Sequence, residues 1–135
     1  MHEPMTILVV DDAEPVRTIL VHALRLRGFN AIEAGGGPAA LRAIFAAPPA
    51  LAIIDQWMPE MTGAELIRLL RASPDPRLRE LPVIGLSGRP GSEAELLRAG
   101  AQTFLSKPFG GTQLDAALRV TIGADRGALR AASAA

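Results

Sequence analysis

The 135-residue chain has no cysteine and no tyrosine, a single tryptophan and a single lysine. Without cysteine there is no disulfide scaffold and no thiolate metal site. The lack also fits a reducing compartment, and because MHEPMTILVV carries no signal-peptide pattern, a cytoplasmic location is expected. Aromatic residues make up 4%, so a core must be assembled from Ile, Leu, Val and Ala. No apolar run approaches the roughly 20 residues that cross a bilayer, which excludes membrane insertion. Fourteen basic residues balance fourteen acidic ones. A neutral surface lacks the electrostatic footprint of a nucleic-acid binder, so no direct nucleic-acid binding is expected. Thirteen of the basic residues are arginine. We read that bias, with the abundant alanine, as genome composition, which makes the one retained lysine, Lys107, informative.

What is present is an alternation of short apolar runs with helical patterns. Thr6–Val10 reads as a strand buried on both faces. A helix from Glu14 to Arg27 follows, with Pro15 in its first turn and Gly28 closing it. Ala31–Ala34 is a weak second strand; Gly35-Gly36-Gly37 turns, and Pro38 opens a helix carrying Ala40, Leu41, Ile44 and Phe45. Leu51–Ile54 is the third strand and leads directly into Asp55. A loop then reaches a helix with Leu66, Ile67, Leu69 and Leu70. Ser73 to Leu81 reads as a polar connection, Val83–Leu86 as the fourth strand, and Ser92 to Ala99 as a short helix with a Ser92/Glu95 capping box. Thr103–Leu105 is the fifth strand, and a last helix starts near Thr112. Residues 1–123 form one domain, and an Ala-rich tail over 124–135 is expected to be loosely ordered. Five successive βα units imply a doubly wound α/β fold with a parallel sheet and helices on both faces.

Ligands of such sheets bind beyond the carboxyl ends of the strands. Those ends carry Asp11 and Asp12, then Asp55, Ser87 and Lys107. Three converging carboxylates repel one another, and a hard divalent cation, Mg²⁺ or Mn²⁺, relieves that repulsion. This set suits phosphoryl transfer onto a carboxylate, with Asp55 as nucleophile and Ser87 and Lys107 taking phosphoryl oxygens. No G-x-x-x-x-G-K-[ST] motif is present, so the phosphate arrives from elsewhere. His22, alone on the first helix, reads as a partly exposed helix residue.

These residues resemble a known family. Asp11-Asp12, Asp55-Gln-Trp-Met-Pro-Glu-Met-Thr-Gly63, Leu86-Ser87-Gly88 and Phe104-Leu-Ser-Lys107-Pro108-Phe109 look like the receiver domain of two-component response regulators, over residues 5 to 122. The resemblance implies strand order 2-1-3-4-5, a flavodoxin-like arrangement. It implies Asp55 as phosphoacceptor and Asp11, Asp12, Asp55 and the Trp57 carbonyl as the Mg²⁺ set. Ser87 and Lys107 would contact the phosphoryl group, the Lys107-Pro108 bond would be cis, and Phe104 would be the switch aromatic. Trp57 and Arg89 occupy positions that tune phosphoryl lifetime. Thr62, where the family usually has Asp, lies outside the phosphate shell.

The implied donor is a histidine kinase or phosphotransfer protein, docking near Ala13 to Arg17. A downstream protein would bind the surface of the fourth predicted helix, fifth strand and last helix. The chain reads as a stand-alone receiver that catalyses only its own phosphorylation and dephosphorylation. A receiver-fold docking module that works without phosphorylation is the alternative. A dehalogenase-type phosphohydrolase would need a second Asp at Trp57, and a flavodoxin-like carrier would not place Asp11-Asp12 against FMN phosphate.

Overall fold

The strands alternate in what they bury. In β1 (Thr6–Val10), Ile7 and Val9 point to one face of the sheet and Leu8 and Val10 to the other, and all four are fully buried. The computed structural model describes residues 3–122. The remaining elements are α1 (Glu14–Leu26), β2 (Asn30–Ala34), α2 (Gly37–Ala46), β3 (Leu51–Asp55), α3 (Gly63–Arg71), α4 (Pro76–Arg79), β4 (Val83–Ser87), α5 (Ser92–Ala99), β5 (Thr103–Ser106) and α6 (Gly111–Ile122). All five strands are parallel, in the order β2-β1-β3-β4-β5. This is the fold class and strand order expected from the sequence.

The sheet divides the core in two. On one side Ile44 of α2, Leu66 and Ile67 of α3 and Leu96 of α5 pack on Leu8, Ala52 and Ile54. On the other, Leu20 and Leu24 of α1 and Leu114 and Leu118 of α6 pack on Ile7, Ile53 and Ile84. Each fully buried Leu or Ile contributes about 1.5–3 kcal/mol through removal from water. The central strands β3 and β4 are buried throughout, whereas β2 at the sheet edge buries only Ala31 and Ala34. That edge position explains the weak apolar signal of β2.

Three expectations need correction. The connection Ser73–Leu81 contains a one-turn helix, α4, because the Asp75 side chain accepts the Arg77 N–H and Pro76 takes the first helical position. The expected Ser92/Glu95 capping box is absent: Gly91, with φ at +87°, is the N-cap and Ser92 already lies inside the helix. The capping box sits instead at α3, where Thr62 and Glu65 bond reciprocally. Phe45 and Leu69, apolar residues read at helical spacing, are exposed. The tail, residues 124–135, lies outside the described residues. Among the described residues no helix is long and apolar enough to cross a membrane.

Candidate functional site

The parallel topology delivers the predicted residues to one edge. Asp55 and Ser87 are the last residues of β3 and β4, Asp11 and Asp12 follow β1, and Lys107 follows β5. One oxygen from each of Asp11, Asp12 and Asp55 lies within 4.8 Å of the others. Asp11 and Asp55 are buried, and Asp12 is exposed. The Lys107 ammonium bridges the two buried carboxylates, 2.8 Å from Asp11 Oδ2 and 3.0 Å from Asp55 Oδ1. The Lys107-Pro108 peptide is cis.

Local chemistry fixes each group. Asp11 Oδ1 accepts the Ala13 N–H at 2.9 Å, which leaves Oδ2 for Lys107. The Arg17 guanidinium donates to the Asp11 carbonyl at 2.7 Å. Behind Asp55, the buried Gln56 side chain accepts the Ala64 N–H and its carbonyl accepts the Gly63 N–H, closing the β3–α3 loop. Gly63 runs so close that any Cβ there would overlap the Asp55 carbonyl oxygen. The glycine of the D-x-x-M-P-x-M-x-G pattern therefore serves close packing against the end of β3.

Electrostatics follow from burial. Desolvation, reinforced by Asp11 and Asp12 and opposed by Lys107, pushes the Asp55 carboxyl from 3.8 up to about 6. Burial works against the Lys107 ammonium, but Asp11 and Asp55 outweigh it and hold its pKa above the ordinary lysine value. The donor set is all oxygen and carries excess negative charge, which fits a hard divalent cation.

Ser87 is buried and its hydroxyl points to Ser92 Oγ at 3.2 Å. The Trp57 indole N–H also donates to Ser92 Oγ, at 2.9 Å, and the Arg89 guanidinium lies 4.7 Å from the centre of the Trp57 ring. Phe104 is half-buried against the core of the α5 side. His22 is exposed on α1, away from this edge. Sequence reasoning missed Gln56, Arg17 and Ser92. Ser92 had a readable signal, five residues past Ser87, but it was absorbed into the expected cap. A buried glutamine after a strand has none.

A doubly wound sheet carrying three carboxylates, a hydroxyl and a lysine on its carboxyl edge defines a receiver-type module. The family model for the response regulator receiver domain matches residues 7–119. The chain is 36% identical over 118 residues to the transcriptional regulatory protein KdpE of Mycobacterium tuberculosis, covering 86% of this chain and 50% of KdpE. It is 35% identical over 124 residues to chemotaxis protein CheY1 of Helicobacter pylori, covering 88% of this chain and 98% of CheY1. A solved structure of the receiver domain of sensor histidine kinase PA1611 from Pseudomonas aeruginosa, with a magnesium ion in its active site cleft, matches with a TM-score of 0.81 at 27% identity. It covers 90% of this chain and 99% of that one. The chain belongs to the response regulator receiver family. It spans about half the length of KdpE and nearly all of CheY1.

Proposed function

We propose that the protein is a phosphoacceptor receiver that takes a phosphoryl group onto Asp55 from a histidine kinase or phosphotransfer protein. The observation that carries this reading is the Lys107 ammonium held between the two buried carboxylates, Asp11 and Asp55. An Asp55 oxygen attacks phosphorus, the N–P bond of the donor phosphohistidine breaks, and the imidazole leaves with its electron pair. Lys107 meets the charge that develops on the phosphoryl oxygens, and the Ser87 hydroxyl turns to donate to another. Asp11, Asp12, Asp55 and the Trp57 carbonyl would hold Mg²⁺ or Mn²⁺, which supplies charge neutralisation for carboxylates and phosphoryl group alike. The magnesium ion of the PA1611 receiver supports this assignment.

The chain catalyses only its own phosphorylation and hydrolysis and works in the cytoplasm. Its output is binding of a downstream protein to the α5–β5–α6 face, next to the switch residue Phe104. On that face a groove of about 430 Å³ is lined by Phe104, Ala116 and Val120 among others. The test is incubation with acetyl phosphate and Mg²⁺, read by intact mass. Wild type gains one phosphoryl group and Asp55→Asn gains none; no gain in wild type refutes the reading.

A further inference from the structure

We infer that Ser92 is a positioning residue that holds both Ser87 and Trp57 in their resting orientations. The kinetic consequences drawn below rest on the phosphoacceptor reading; the geometry does not. Ser92 is buried in the first turn of α5. Its Oγ accepts two hydrogen bonds, from Trp57 Nε1 at 2.9 Å and from the Ser87 hydroxyl at 3.2 Å. Ser87 Oγ in turn accepts the Arg89 N–H at 3.1 Å, and the Arg89 guanidinium covers the Trp57 ring. Trp57, Ser92, Ser87 and Arg89 thus close a ring of contacts beside Asp55.

Each donor in that ring has only one proton to give. A serine hydroxyl carries one O–H, so while it points to Ser92 it cannot donate to a phosphoryl oxygen. The indole likewise has one N–H, and its bond to Ser92 fixes the ring plane under Arg89. One buried oxygen therefore restrains two groups: the hydroxyl that must turn toward the phosphoryl group, and the ring that stacks under Arg89 two residues past Asp55. Removing it acts on both. Ser92→Ala spares Ser87 a bond that must otherwise break, and it lets Trp57 swing.

The test uses three proteins, wild type, Ser92→Ala and Ser92→Thr, with acetyl phosphate, Mg²⁺ and tryptophan emission. Trp57 is the sole tryptophan, so the emission belongs to it. In the absence of donor, Ser92→Ala shifts emission to the red and opens the indole to acrylamide quenching. With donor, its phosphorylation rate rises roughly two- to tenfold, the size of one net hydrogen bond, and phosphoryl loss also quickens. Ser92→Thr keeps the hydroxyl and follows wild type. A purely structural role for Ser92 would instead slow phosphorylation and lower the melting temperature. Unchanged emission and quenching in donor-free Ser92→Ala, or an unchanged phosphorylation rate, overturns the inference. If wild type takes up no phosphoryl group, the phosphoacceptor reading fails, and the donor-free emission still decides whether Ser92 pins Trp57.

Discussion

Replacing Asp55 with asparagine should make the protein more stable, and by an amount that depends on pH. In the folded state the Asp55 carboxyl titrates at about 6, against 3.8 for an ordinary aspartate. The native state therefore holds its proton more tightly than the unfolded state. The stability this confers is fully present below the unfolded pKa and is lost as pH rises through about 6. At about 1.4 kcal/mol per pH unit, the ionised carboxylate costs the fold on the order of 3 kcal/mol at pH 8, roughly half of that at pH 5 and little at pH 4. Asp55→Asn removes that cost while keeping the side-chain shape, and Lys107 retains its 2.8 Å partner Asp11. In EDTA at pH 8 the variant should melt roughly 10 °C above wild type. The gap should narrow steadily toward pH 4. Adding Mg²⁺ should raise the wild type more than the variant, because the ion offsets the same repulsion. Urea or thermal denaturation across pH 4 to 8 measures all of this. A variant equal to or less stable than wild type at pH 8, or a gap that does not close on acidification, refutes the electrostatic argument.

Three further outcomes are expected. Gly63→Ala forces a methyl group onto the Asp55 carbonyl, so urea unfolding should show a loss of about 1–3 kcal/mol, together with slower uptake of phosphate from acetyl phosphate. Thr62→Ala removes the α3 capping box and should cost about 0.5–2 kcal/mol in the same unfolding assay, while the phosphorylation rate stays at the wild-type value. The double variant Trp57→Asn, Arg89→Ala removes the stacked pair that follows Asp55 and Ser87 in sequence and should lose its phosphoryl group faster than wild type. Equal decay rates would end the idea that this pair shields the acyl phosphate.

Much of the architecture was legible because parallel strands buried on both faces leave continuous apolar runs, and Ile7–Val10, Leu51–Ile54 and Val83–Leu86 are such runs. The site was legible because topology alone carries Asp11, Asp55, Ser87 and Lys107 to one edge. The strand order itself came from family resemblance, since periodicity does not encode which strands are neighbours. What stayed hidden has identifiable causes. The four-residue α4 is too short to show periodicity, although Asp75-Pro76 is a readable start signal. Phe45 and Leu69 fit the helical spacing of their neighbours, yet both are exposed, so the buried stripes are narrower than the pattern suggested. Ser92 matched a capping box in sequence, but Gly91 adopts a left-handed conformation that moves the cap one residue earlier. That one-residue displacement is what frees its hydroxyl to meet Trp57 and Ser87.

The only ε-amino group in the chain is the one clasped between Asp11 and Asp55. Its ammonium is held above the ordinary lysine pKa, so little free amine exists near neutrality and amine-directed reagents attack it slowly. When they do react, they consume the cation of the site. Coupling the protein to dyes, beads or sensor surfaces through lysine therefore selects molecules that have lost the Asp11–Lys107–Asp55 clasp. Conversely, the extent of Lys107 acylation, followed by mass, is a one-residue gauge of whether the clasp is closed.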